Sequence, residues 1–120
     1  MTLKELYTTF GGDYDETLRR LLSEAFVKKY VLKFPSDQTY ADLLRARKAK
    51  DINAAFTAAH TLKGITSTLG FKDLARVASE LTEELRPRTH FPEDKFFDAV
   101  DDAYAVVFDN IAQYVSEHQN

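Results

Sequence analysis

Four glycines and three prolines punctuate 120 residues, and they fall in clusters: Gly11-Gly12, Pro35, Gly64, Gly70, Pro87 and Pro92. Between these breaks little stands in the way of a helix. No run alternates apolar and polar residues between turn signals, as a half-buried strand would. The chain is therefore expected to be all-α, and its length suits one domain with one core.

The same punctuation sets the helix limits. Thr2 and Glu5 stand at capping-box spacing, so a short helix is expected to start there and stop at Gly11-Gly12. Asp13 opens a second, with Glu16 repeating that spacing. Its apolar stripe reads Leu18, Leu21, Leu22, Phe26, Tyr30 and Val31, and Phe34-Pro35 ends it. Ser36 or Asp37 caps a third, through Tyr40, Leu43 and Leu44 to about Lys50. Asp51 caps a fourth that Gly70 breaks after Leu69, and a fifth follows from about Lys72 to Leu85. After a loop from Pro87 to Pro92, a last helix from about Glu93 to Ser116 carries Phe96, Phe97, Val100, Tyr104, Val107, Phe108, Ile111 and Val115. Its mixed spacing of three and four marks a core-facing helix.

Short links favour antiparallel neighbours. The expected architecture is an antiparallel up-down four-helix bundle in residues 36–120. The additional N-terminal helices, in residues 1–35, would pack over one side or end of it within one globular domain.

Several classes of function are set aside. A net charge of −3 leaves no electrostatic footprint for general nucleic-acid binding. With no cysteine there is no disulfide framework, thiol catalysis or cysteine zinc site. The longest apolar stretch, Ala103 to Phe108, is far short of a membrane span. The N-terminus has no signal-peptide pattern, and the expected address is cytoplasmic.

The run Ala59-His60-Thr61-Leu62-Lys63-Gly64 holds the chemistry. Lysine three and glycine four residues on both lie alongside the histidine on a helix surface. With about 100° per residue, Ile52, Ala55, Ala59, Leu62 and Leu69 cluster on one side and His60 falls near its edge. Asn53, Phe56, Gly64 and Ser67 lie close to His60 in angle, with Lys63 somewhat farther. His60 should therefore be solvent-accessible, either a surface histidine with no role or a site that accepts an anionic group from a large partner. A mid-helix glycine costs about 1 kcal/mol against alanine. Close approach of a neighbouring helix, or of a partner, would account for Gly64. Phe56 either anchors that partner or closes the bundle edge. With Asn53, Thr57, Gly64, Ser67 and Lys72 it makes up the candidate docking surface.

These residues resemble the histidine-containing phosphotransfer (HPt) family. The match runs Ala59-His60-x-Leu62-Lys63-Gly64, then Gly70 and Leu74, and on to Ala78, Leu81 and Glu84. The likeness covers roughly residues 38 to 117, with residues 1 to about 35 outside its best part. It implies a four-helix bundle that shuttles a phosphoryl group between receiver-domain aspartates. On it, His60 matches the phospho-acceptor, Lys63 the lysine that neutralises phosphoryl charge, and Gly64 the glycine that leaves room for the receiver. Ser67, two turns on, could orient the site. Ile65 departs from the small residues common after that glycine, and is expected to point toward the bundle. Phe71 replaces a small residue, with an expected effect on which receivers fit.

The implied reaction is attack by neutral imidazole on an aspartyl phosphate. Histidine supplies such a nucleophile near neutral pH. The chain itself is expected to need no cofactor, magnesium belonging to the partner receiver. No glycine-rich ATP motif is present, so a carrier and not a kinase is implied. Partners would be receiver domains of response regulators or hybrid histidine kinases, with the carrier itself a monomer. The main alternative is a docking module for a receiver or kinase that accepts no phosphate. A metal-binding bundle is disfavoured by the scattered His60, His90 and His118, with His118 expected in a frayed tail. An acid/base enzyme is disfavoured by the convex surface around His60. Asp98, Asp101, Asp102 and Asp109 read as a solvated face of the last helix.

Overall fold

The computed structural model describes residues 1–119, and these contain seven α-helices and no strand. They are α1 (Leu3–Thr9), α2 (Tyr14–Leu21), α3 (Glu24–Lys33), α4 (Thr39–Ala49), α5 (Ile52–Leu69), α6 (Lys72–Leu85) and α7 (Asp94–Glu117). One turn of 3-10 helix, Phe34–Ser36, joins α3 to α4.

Local signals account for most of the helix starts. Thr2 and Glu5 form a reciprocal capping box: Glu5 N–H donates to Thr2 Oγ1 at 3.1 Å and Thr2 N–H to Glu5 Oε1 at 2.9 Å. Asp13 and Asp51 cap α2 and α5 through the backbone N–H three residues on. Glu16 does not complete a second box; its carboxylate pairs with Arg20 at 3.0 Å. Asp37 accepts from Thr39 N–H at 2.8 Å, ahead of α4.

The expected single helix from Asp13 to Phe34 is two. Leu22 takes a left-handed conformation (φ 67°), its N–H donating to Leu18 O, and Ser23 then caps α3. The turn redirects the chain so that Val27 and Val31 enter the core. The expected stripe is thereby split. Val31 is buried, Leu18 and Leu21 are half-buried, and Leu22, Phe26 and Tyr30 face out.

Helices α4, α5, α6 and α7 pack in succession, each on the next. The fourth edge of this bundle is shared. At about 1.5 Å per residue, the 11 residues of α4 cover only part of the 24-residue α7. Tyr40 stacks on Tyr104 at 3.8 Å and its hydroxyl donates to Asp101 at 2.6 Å. Arg47 bonds Asp98 and Asp101 at 3.1 and 3.2 Å and reaches Asp94 at 3.3 Å. Asp98, Asp102 and Asp109 are exposed as expected, but Asp98 and the half-buried Asp101 also form an inter-helix clasp with Arg47. Along the rest of α7 its neighbours are α1 and α3. At its end His118 stacks on Tyr114 at 4.1 Å, with Nδ1 2.8 Å from the Tyr114 carbonyl, so the expected frayed tail is packed there.

The N-terminal helices also close the end of α5. A helix leaves its last four carbonyls without partners, and here each has one. Phe71 N–H donates to Thr66 O and Gly70 N–H to Ser67 O, a Schellman turn with Gly70 at φ 74°. Arg20 donates to Ser67 O and Thr68 O at 3.0 and 2.6 Å, and the Tyr7 hydroxyl to Leu69 O at 2.7 Å. Phe71 lies beneath this cap, its ring centroid 5.7, 4.9 and 5.2 Å from Tyr7, Phe10 and Phe34. It is fully buried, so any effect on which receivers fit is not by direct contact; its bulk fills the junction between α1, α5 and the bundle. No helix is long and apolar enough to cross a membrane among the described residues.

Candidate functional site

The buried side of α5 consists of Ala55, Ala58, Ala59, Leu62, Thr66 and Leu69. Its alanines let neighbouring helices approach closely, and α5 is packed between α4 and α6. His60 projects off that side and is exposed. Neither of its ring nitrogens has a hydrogen-bond partner among the described residues. Beside it stands Phe56, one turn back, whose ring lies 5.8 Å away and within 6° of parallel.

Phe56 is half-buried and packs against the core edge, yet it also carries charge on its surface. The Arg88 guanidinium stands 4.3 Å from its ring centroid and that of Arg86 5.3 Å. Arg88 also donates to Asn53 Oδ1 at 3.3 Å. Arg86 makes two bonds to Glu83, at 2.7 and 3.2 Å. This pairing holds the Glu83 carboxyl below the usual range, and the nearby charges of Lys63 and His60 act in the same direction. Lys63 itself is half-buried and forms no ion pair among the described residues. The surface around His60 thus holds three cations and one carboxylate, in a chain whose net charge is negative.

Gly64 faces open space. A Cβ added there would meet nothing within 4 Å, so no neighbouring helix accounts for the glycine. Beside it lies a cleft of about 550 Å³ between α3 and α5, lined by Leu21, Tyr30, Phe34, Ile65 and Leu69 among others. Ile65 is half-buried: it packs against the core, as expected, and also lines that cleft. Thr66 takes the buried place, its hydroxyl bonding back to Leu62 O at 2.7 Å. Such back-bonding satisfies a buried hydroxyl within its own helix.

The other expected docking residues divide. Asn53 and Thr57 line a shallow groove between α4 and α5, on the same stretch of helix as His60. Ser67 is exposed and borders a depression between α5 and α6 together with Lys63 and Lys72. Lys72 is committed elsewhere: its ammonium lies 3.5 and 3.6 Å from Asp13 and Glu16, tying α6 to α2. His90 is an exposed loop residue, as expected. Among the described residues, no group of three histidine or acidic side chains could hold a metal ion.

Glu83, Arg86 and Arg88 escaped the sequence reading, as did the cleft side of α3. The signal for the first three was the two-residue link between α5 and α6. An antiparallel pair with so short a turn sets residues in the eighties against residues in the fifties. Nothing local linked the loop arginines to a histidine almost thirty residues earlier.

The Hpt domain family matches residues 5–110 of this chain. The chain belongs to that family. The match starts at Glu5, so α2, α3 and most of α1 lie inside it and not outside the likeness. No curated protein and no solved structure matches significantly. Hpt domains act in phosphotransfer within two-component signalling, as phosphocarriers without kinase activity. They interact with receiver domains and histidine kinases. The seven-helix Hpt chain described here is the all-α bundle its sequence led one to expect.

Proposed function

We propose that this protein is a phosphorelay intermediate that accepts a phosphoryl group on His60 from a receiver-domain aspartate and passes it to another receiver. The observation that carries this reading is an exposed, unpartnered imidazole on a packed helix, with open space over Gly64 one turn on.

One ring nitrogen of neutral His60 attacks the phosphorus of the receiver's aspartyl phosphate. The P–N bond forms as the P–O bond to aspartate breaks, and the electron pair leaves on the carboxylate. The imidazolium then gives the proton on its second nitrogen to water. Return transfer reverses these steps on a second receiver. In such a loose transition state the protein contributes mainly position and charge. Lys63, free of ion pairs and one turn from His60, supplies charge to the phosphoryl oxygens. The magnesium ion belongs to the receiver, and the carrier works as a cytoplasmic monomer without a cofactor of its own.

The docking face runs from Asn53, Phe56 and Thr57, across His60 and Gly64, to Ser67. The apolar cleft beside Gly64 extends it onto Leu21 and Tyr30 of α2 and α3. Lys72 sits at the margin of that face, because its partners are on α2.

The test is phosphoryl transfer from a panel of phosphorylated receiver domains, with His60→Gln as control. An acid-labile phosphate on the wild type and none on His60→Gln is expected. Receiver binding without transfer would replace this reading with a docking module.

A further inference from the structure

Arg88 occupies a backbone position that a side chain adopts at a cost. Its φ is 57°, in the loop after α6, with its N–H donating to Leu85 O at 3.0 Å. Glycine would sit there without strain. Instead the arginine crosses to α5 and makes two contacts, on the Phe56 ring at 4.3 Å and on Asn53 Oδ1 at 3.3 Å. Asn53, Phe56 and His60 follow one another at helix spacings of three and four, in a single row. A continuous line of contact therefore runs from the loop to the nucleophile: Arg88 on Phe56, and Phe56 on His60.

That line matters because no hydrogen bond orients the imidazole among the described residues. The near-parallel stack on Phe56 is then a contact that limits ring rotation. Arg86 is a poorer clamp, since it is farther from the ring and held by Glu83.

We propose that Arg88 is a positioning residue for His60: by clamping Phe56 it fixes the plane of the imidazole for attack on phosphorus. The role of this plane in transfer rests on the phosphorelay reading above; the clamp itself does not.

The experiment compares the full chain with Arg88→Met, Arg88→Lys, Arg88→Gly and Phe56→Leu. Arg88→Gly removes the side chain and the backbone strain together, so it is expected to fold. The first readout is the proton resonance of the His60 Cε1–H, which senses the Phe56 ring current. It is expected to move toward the Phe56→Leu value in Arg88→Met and Arg88→Gly, and to return in Arg88→Lys. The second readout is transfer from a phosphorylated receiver. The rate at saturating receiver is expected to fall about three- to ten-fold in the Met and Gly variants, as for a misoriented nucleophile. Labelling of His60 by the small donor phosphoramidate should persist in both.

An unmoved His60 resonance in both variants overturns the proposal. So does a defect confined to low receiver concentration, which would make Arg88 a docking residue. If receivers fail to phosphorylate even the wild type, the phosphorelay reading falls, while the resonance still decides whether Arg88 positions the ring.

Discussion

At Gly64 helix stability and the proposed docking role can be told apart by a single substitution. In the middle of an exposed helical stretch it weakens α5 by about 1 kcal/mol relative to alanine. Space cannot be the reason within this chain, because an added Cβ would touch nothing. Gly64→Ala is therefore expected to raise the melting temperature by roughly 4 °C while slowing receiver-dependent transfer. Calorimetry and a transfer assay on the same preparation check both halves. A stabilised variant with undiminished transfer would remove Gly64 from the docking face. Lys63 and Phe56 differ in kind from Gly64: each is half-buried against the bundle edge, so substitutions there mix packing with chemistry.

At the scale of elements, two left-handed residues end two helices with opposite consequences. Gly70 (φ 74°) closes α5, and a Cβ there would overlap the Thr17 hydroxyl and press on Asp13 O. Gly70→Ala combines left-handed strain with a clash in a packed junction, and should cost about 2–3 kcal/mol. Leu22 (φ 67°) closes α2 but is 86% exposed, so its side chain has little packing to lose. Leu22→Gly should stabilise by about 1 kcal/mol through relief of the same strain. Urea unfolding of the two variants gives shifts of opposite sign if these backbone conformations are as described. Loss of stability in Leu22→Gly would mean that the leucine has a folded-state contact worth more than the strain.

For the whole molecule, the question is whether α1 to α3 are an addition or part of the core. They and the following turn contribute Leu3, Leu6, Tyr7, Phe10, Val27, Val31 and Phe34, each 3% exposed or less. At about 1.5–3 kcal/mol per buried apolar side chain, these seven supply about 10–20 kcal/mol. Net stabilities of small domains are about 5–15 kcal/mol. Removing residues 1–36 would also strip Arg20 and Tyr7 from the carbonyls that end α5. The remaining chain is expected to lose its cooperative thermal transition. A sharp melt of residues 37–120 alone would show instead that the N-terminal helices merely cover a self-sufficient bundle.

The helix count was underestimated by one for a physical reason. Asp13 to Phe34 carries no glycine or proline, and the local mark of a break at Leu22 is the single N-cap serine, Ser23. Only the need to lay Val27 and Val31 on a core built by distant helices makes a left-handed leucine worth its strain. Most caps and stops with a local signal were legible, as at Thr2, Asp13, Asp51 and Gly70, because a capping hydrogen bond spans only a few residues; the cap at Ser23 was missed. By itself the sequence determined the all-α class, the limits of α5 and α6, and the exposure of His60, all of which follow from helical periodicity and neighbours within one turn. Tertiary structure alone decided that Ile65 faces a cleft, that Phe71 is sealed in an aromatic junction, and that Arg86 and Arg88 arrive over the Phe56 ring. These contacts join residues far apart in the chain, and their energies depend on the angle at which whole helices pack, which no local spacing encodes.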